Sequence, residues 1–227
     1  MADQIRLFVG KDPRETVGYH VFVESVLRRT DPNRISITAL TGDQEDASTT
    51  FSKARFLVPE LCGYNGWAIF ADGSDMLCLA DIQELWALRK TGYDVMVCPH
   101  QYETKYPVKF LGQSNENYPK KNHTSLMLIN AGYEVWRRPE YKAMLKGPAG
   151  PLHRLEFLDD DRIGHLPLEW NWLVSEYDPN PNVKLLHYTI GIPPFYPSCD
   201  HSAEWFNEMR AMTHYEHWDQ TVLVSER

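Results

Sequence analysis

The stretch WAIFADGSDMLCLADIQELW, Trp67 to Trp86, decides how the chain is read. It opens on the apolar run Trp67–Ala71, which has the length of a buried strand and not of a helix. Two carboxylates follow, Asp72 and Asp75, with only Gly73 and Ser74 between them. The stretch then reaches Asp81-Ile-Gln-Glu84, a capping signal that opens a helix. In open α/β sheets, ligands bind beyond the carboxyl ends of strands, which is where the two aspartates stand. Hard carboxylate oxygens suit Mg²⁺ or Mn²⁺, which bind through one or two carboxylates plus substrate phosphates. A solvated Asp/Gly/Ser turn has the same composition, so the motif alone leaves both readings open.

Outward from this stretch the pattern repeats. Ile5–Gly10 reads as a first strand. Asp12 to Glu15 forms a variant capping box with Pro13 at the first helical position. The helix it opens runs to about Arg29, with Tyr19, Phe22, Val23, Val26 and Leu27 as its apolar stripe. Arg34–Leu40 is a second strand, and Thr50–Gly63 a helix. The helix opened at Asp81 is expected to end near Thr91 and Gly92. Tyr93–Pro99, Ser125–Asn130 and Val183–Thr189 read as further strands. Tyr133–Leu145 reads as a helix kinked or split at Pro139, and Ser202–Met212 as a late helix. Alternating strands and helices predict an α/β sheet with helices on both faces. The polar segment Tyr102–His123 has no period; a loop of this length faces a substrate or is disordered.

The composition sets bounds. A chain of 227 residues is one large domain, or a domain with a small appendage. Its hydrophobic fraction of 43% supplies a core. The net charge of −8 argues against a general nucleic-acid binder, while leaving room for a local anion site. Cys62, Cys78, Cys98 and Cys199 show no CxxC pairing, so a reducing, cytoplasmic setting is expected. The N-terminal residues lack a signal-peptide pattern, and no apolar run has the length of a bilayer span.

Other residues carry competing readings. His187 closes a strand and could add a nitrogen ligand to the aspartates, or be structural. Arg55 sits on an apolar helix face; it either clamps phosphate or sugar hydroxyls or pairs with Glu60 in solvent. The run Asp159–Asp161 is self-repelling and ordinarily solvated, with room for one member to face a cleft. Trp170 and Trp172 either floor a sugar site or fill the core. The His214/His217 and Cys199/His201 pairs read as ordinary surface features.

The order of these pieces resembles that of a family 8-like glycosyltransferase of the GT-A type, over roughly Ile5 to Trp205. The segments that carry the resemblance are Arg6–Val26, Phe51–Trp86, His123–Asn130, Phe157–Asn171 and Leu185–Phe195. It implies a single GT-A, Rossmann-like domain over residues 1–227, with a mostly parallel mixed sheet flanked by helices. It implies a retaining transfer from a nucleotide-diphosphate sugar, most often a UDP-sugar, to a saccharide or other hydroxyl acceptor. The resemblance assigns Mn²⁺ or Mg²⁺ to Asp72, Asp75 and His187. It assigns donor binding to Phe8, Gly10, Asp12, Ser52, Arg55 and His123, and a place near the reacting carbon to Asp160 with Asp159 beside it. The sequence departs from the family in three places. The aspartates are spaced Asp-Gly-Ser-Asp instead of Asp-X-Asp, which calls for a bulged turn at Gly73. The loop Gly191–Phe195 lacks the family's lysine. His123 stands where a sugar-contacting asparagine is usual. A non-catalytic nucleotide-sugar or glycan-binding protein of the same fold, and a metal-dependent phosphohydrolase, are the alternatives.

Overall fold

A computed structural model of the chain describes residues 4–42 and 51–213. Its strands are β1 Ile5–Gly10, β2 Ile35–Leu40, β3 Trp67–Ala71, β4 Met76–Cys78, β5 Val95–Val97, β6 Val108–Lys109, β7 Gln113–Ser114, β8 Leu126–Asn130, β9 Ile163–His165, β10 Trp172–Leu173 and β11 Leu185–His187. Its helices are α1 Thr16–Leu27, α2 Val58–Leu61, α3 Ile82–Ala87, α4 Pro139–Lys146, α5 Ala149–His153 and α6 Ser202–Thr213. Among the described residues, no helix is long and apolar enough to cross a membrane.

Six strands form the main sheet in the order β2-β1-β3-β8-β5-β9. β1 runs parallel to β2 and β3, and β5 runs parallel to β9. β8 is antiparallel to both of its neighbours. The sheet is therefore mixed and mostly parallel, as the family resemblance implies. Its central strands β3, β8 and β5 are almost wholly buried because both faces are covered, whereas the edge strand β2 carries exposed Thr38 and Ala39. On one face Leu7, Val9, Ile69 and Ala71 pack with Phe22 and Val26 of α1 and Ile82 and Leu85 of α3. On the other, Phe8, Ala68 and Phe70 pack with Phe56, Trp136 and Tyr141.

A smaller sheet has the order β10-β11-β4. Its β4 begins directly after Asp75, and the antiparallel register sets His187 opposite Met76. The Tyr188 N–H also donates to the Asp75 carbonyl at 2.8 Å. This short sheet brings the two ends of the site together; β4 and β10 are too brief to stand out in the sequence, whereas β11 lies inside the strand expected over Val183–Thr189.

Several boundaries differ from the sequence expectation for local reasons. Asp12 accepts from the Arg14 N–H at 2.9 Å, but it caps a 3-10 turn over Pro13–Glu15, and α1 begins only at Thr16. Glu15 does not complete a capping box; its side chain is buried and makes no cap hydrogen bond. The helix expected to end at Gly63 is a 3-10 turn over Ala54–Leu57 and then the single turn α2. Pro59 lies in that turn and lacks an N–H for the helical ladder, and Arg55 is turned inward. α3 stops short of Thr91, as the Leu88 N–H closes onto the Leu85 carbonyl in a tighter turn. The Tyr133–Leu145 helix splits at Pro139, which opens α4. The Tyr102–His123 segment carries the β6–β7 hairpin. Buried Glu176 anchors it, accepting from Thr104 Oγ1 and from the Lys105 N–H. His214 and His217 lie outside the described residues.

Candidate metal centre

The turn after β3 is built by its two small residues. Gly73 has φ +69°, and an added Cβ would lie 2.1 Å from Val9 Cγ1, so only glycine fits there. Ser74 points inward. Its hydroxyl donates to the Gly10 carbonyl at 3.2 Å and accepts from the Asp12 N–H at 3.0 Å. The turn is thereby stitched to the end of β1, and both aspartates swing to one side. Asp72, Asp75 and His187 each offer a ligand atom, and these atoms lie within 4.8 Å of one another. The bulged turn that the longer spacing calls for is present at Gly73.

Hydrogen bonding fixes the tautomer of His187. Asn171 Nδ2 donates to Ser125 Oγ at 2.8 Å and to the Asn122 carbonyl at 3.3 Å. A carbonyl can only accept, so this end of the Asn171 amide is its NH₂. Asn171 Oδ1 therefore faces His187 Nδ1 at 2.9 Å, and Nδ1 carries the proton. The lone pair is left on Nε2, which points at Asp75 Oδ2 across 3.3 Å. Two lone pairs facing each other repel unless a cation or a proton lies between them. Asp75 Oδ1 and Thr189 Oγ1 are also buried with no hydrogen-bond partner, whereas buried polar atoms are nearly always paired. The donor set fits a divalent cation with an oxygen-rich shell and one imidazole. Asn171→Ala is expected to leave the fold in place and weaken Mn²⁺ binding about 10–100-fold, as loss of an orienting partner does. Calorimetric titration with Mn²⁺ checks this; an unchanged affinity would show that Asn171 does not set the tautomer.

The surrounding charges follow from burial. Burial pushes the Asp72 carboxyl up to about 6 against the pull of Arg55, and neighbouring Asp75 adds to the rise. Glu15 is pushed up to about 9 by burial and by Asp75 and Asp12. It is thus a neutral acid near pH 7 and adds no further negative charge behind the aspartates. Arg55 is only 5% exposed. Its Nε donates to the Ser52 carbonyl at 3.0 Å and its Nη1 to the Thr124 carbonyl at 2.8 Å. Its Nη2 lies 2.8 Å from Asp72 Oδ1, and the guanidinium sits 4.8 Å over the Phe70 ring. Glu60 is engaged elsewhere, with Lys142 and Tyr64.

A cavity of about 250 Å³ opens over the cluster. Of the residues predicted from the sequence, Ser52, Arg55, Asp72, Asp75 and His187 line it. Phe8, Gly10 and Asp12 are not on its wall. Phe8 is in the core, and the Phe51 ring covers Gly10, so that an added Cβ would meet it at 2.4 Å. Asp12 is fully buried, its carboxylate held by Arg14 at 2.9 and 2.6 Å. Gly10 and Asp12 support the turn from behind, through Ser74. His123 is buried beside His100, with ring centroids 6.1 Å apart, and is not on the wall either. Asp159 and Asp160 are both exposed. Asp160 pairs with Lys120 at 2.8 Å, and Asp159 lines a separate depression with Asp94 and Arg162. The mutual repulsion of three adjacent carboxylates turns that segment to water.

The wall also holds residues that the sequence did not single out. Lys109 and Tyr118 come from the Tyr102–His123 segment, Asn122 and Thr124 from the approach to β8, and His153 from α5. His153 bridges Ser52 Oγ at 2.8 Å and Thr124 Oγ1 at 2.9 Å, and burial pushes it down to about 3, so it is neutral. Lys109 has no ion-pair partner among the described residues. The one sequence signal for it was the polar, lysine-bearing character of its loop. Nothing local marks His153.

No family model matches the chain. Over 225 residues it is 36% identical to Protein CDI of Arabidopsis thaliana, covering 90% of this chain and 85% of that protein. Among solved structures it is similar to the glycosyltransferase GlyE of Streptococcus pneumoniae TIGR4, with a TM-score of 0.65, 14% identity, and 91% of this chain matched to 60% of that one. It is also similar to the bifunctional glycosyltransferase WbbM, with a TM-score of 0.59 and 14% identity over 92% of this chain and 50% of that one. A third is the galactosyltransferase LgtC in complex with donor and acceptor sugar analogues, with a TM-score of 0.57 and 12% identity over 92% and 97% of the two chains. The chain thus spans about half of WbbM and 60% of GlyE. At these identities the likeness is one of fold, and the fold is that of GT-A glycosyltransferases.

Proposed function

The chain belongs to the family of Protein CDI of Arabidopsis thaliana, and from its fold and its Asp/Asp/His cluster we propose that it is a metal-dependent, family 8-like glycosyltransferase. It moves a hexose from a nucleotide-diphosphate donor, a UDP-sugar, to a hydroxyl acceptor with retention of configuration. The observation that carries this reading is the Asp72–Asp75–His187 cluster, with its fixed Nε2 lone pair and orphaned carboxylate oxygen, at the carboxyl edge of a glycosyltransferase fold.

In this reading Asp72, Asp75 and His187 hold Mn²⁺ or Mg²⁺. When bound, the ion offsets the charge that builds on the departing diphosphate. Lys109 faces the same cavity and gives the diphosphate a second cation. It supplies what the loop Gly191–Phe195 lacks, and this favours transfer over the non-catalytic alternative. Arg55, Asn122 and Thr124 present donors and acceptors to sugar hydroxyls, while neutral His153, both ring nitrogens engaged, holds Ser52 and Thr124 in place. Among the described residues the cavity wall carries no carboxylate beyond Asp72 and Asp75. That supports same-face attack by the acceptor hydroxyl, whose proton passes to a donor phosphate oxygen, over a carboxylate nucleophile of the glycosidase kind. A place near the reacting carbon for Asp160, with Asp159 beside it, rests on the family resemblance alone, since Asp160 pairs with Lys120 off the cavity wall. The remaining proposals are a single catalytic domain over residues 1–227 and a cytoplasmic setting, which the four free cysteines favour.

A thermal-shift screen of UDP and UDP-sugars with and without Mn²⁺ tests the reading. Nucleotide at 100 times its dissociation constant adds about 2.7 kcal/mol of stability by mass action. A shift that needs both nucleotide and Mn²⁺ is expected. Loss of sugar from the donor, with no phosphate release from simple esters, separates this reading from a phosphohydrolase. No shift with any nucleotide would overturn the donor assignment.

A further inference from the structure

Beyond the carboxyl ends of β5 and β9, the surface opens into a groove of about 620 Å³, within the range of ligand-binding clefts. Its apolar lining is Leu168, Trp172 and Tyr177, and its polar lining is Gln101, Asp178 and Asn180. The two tryptophans that flank Asn171 play opposite parts. Trp170 is 1% exposed and belongs to the core. Trp172 is half-buried and meets the Tyr177 ring edge-on, with centroids 5.1 Å apart. An aromatic pair is therefore kept at the surface of a cleft.

The groove is joined to the metal centre by short covalent and hydrogen-bonded links. Trp172 follows Asn171, which orients His187. In the β10–β11 register, Trp172 lies beside Leu186, and Leu173 beside His187. The Tyr177 hydroxyl is 2.8 Å from Nδ1 of buried His100. Groove and metal centre thus occupy neighbouring stretches of one sheet edge, the edge at which α/β sheets bind ligands.

We propose that this groove binds an uncharged saccharide chain, the acceptor of the transfer. The word acceptor rests on the glycosyltransferase reading; saccharide binding does not. Sugar rings present C–H faces to aromatic rings, and Trp172 and Tyr177 offer such surfaces with polar tips. The amides of Gln101 and Asn180 both donate and accept, and Asp178 accepts, which suits a ligand made of hydroxyl groups. Asp178 is the only charged side chain on the groove wall among the described residues. A phosphorylated or acidic acceptor would meet no cation there. Pro99, Pro179 and Pro181 complete the wall, and their fixed φ lowers the cost of ordering it on binding.

The test is calorimetric titration of the full chain with cello-, xylo-, manno- and maltohexaose, in the absence of nucleotide and metal. Saturable binding of at least one is expected. Trp172→Ala should weaken it about tenfold or more, and Trp172→Phe, which keeps a ring, by clearly less. Circular dichroism melts establish that each variant is folded. Binding by none of the four overturns the proposal. So does wild-type affinity in folded Trp172→Ala and Tyr177→Ala, or displacement of the bound sugar by a proline-rich peptide. The outcomes stay separable from the donor reading. Oligosaccharide binding without any nucleotide shift leaves a glycan site and removes the transferase. A nucleotide shift without oligosaccharide binding removes only the groove assignment.

Discussion

Replacing Asp75 by alanine is expected to abolish the Mn²⁺-dependent part of nucleotide binding and to lower transfer more than about 100-fold, beyond the loss typical of an outer-shell residue. Asp75 carries the buried oxygen with no partner and the oxygen that faces His187 Nε2. It also stands near the buried carboxyls of Asp72 and Glu15, whose proton affinities it raises. Its removal should therefore leave the metal-free protein as stable as before or more so, while metal no longer raises the melting temperature. That opposite pair of effects distinguishes a ligand from a structural residue. An undiminished Mn²⁺ shift in Asp75→Ala would remove the metal reading of the turn. The sign of the pH effect follows from Asp72. Its folded carboxyl, raised to about 6, holds a proton more tightly than the unfolded one. The metal-free fold is thus helped below the ordinary carboxylate range and loses that help as pH rises through about 6. Metal needs the ionised form and pulls the other way, so Mn²⁺ affinity should fall as pH drops below about 6. An affinity that stays flat between about pH 7.5 and 5 would contradict this.

The second large effect is structural. Arg55→Ala is expected to cost about 3–5 kcal/mol, the range for breaking a buried ion pair from one side. The arginine satisfies the Ser52 and Thr124 carbonyls and lies against Asp72, so its loss leaves the carbonyls unpaired and a buried carboxylate uncompensated. Arg55→Lys keeps the charge but not the planar fork, and cannot reach all three acceptors. It should fall between wild type and alanine in urea denaturation at pH 7.5. At about pH 5, where Asp72 is largely protonated, the cost of Arg55→Ala should shrink. An alanine variant with an unchanged urea midpoint would mean that Arg55 serves only a bound ligand.

How much of this was legible beforehand can be judged from particular residues. Short apolar runs marked β1, β3 and β8, and capping residues marked the start of α3 and the turn that leads into α1, because both signals are local. Pro139 likewise announced the break before α4. The helix expected through Gly63 is two short turns, with Pro59 as the visible local cause, whereas no local signal says that Arg55 turns inward toward Asp72 and the Thr124 carbonyl. Strands β4 and β10 are too short to stand out, although with β11, which lies inside the strand expected over Val183–Thr189, they assemble the site. His153 and Lys109 reach the cavity through packing of remote segments, so His153 has no sequence mark and Lys109 only the polar character of its loop.

The chain by itself determined the α/β layering, the acidic turn at the end of β3, and a histidine at the end of a later strand. These depend on apolar period, on the conformational freedom of Gly73 and on caps, all of which act over a few residues. Only the tertiary structure decided that Asp72 and Asp75 face the same way, through the bond from Ser74 to Gly10. It alone decided that His187 stands beside them, through the pairing of β4 with β11, and that its lone pair is on Nε2, through Asn171. Those relations join residues far apart in sequence, and their geometry is set by strand pairing and core packing, which no short stretch of the chain encodes.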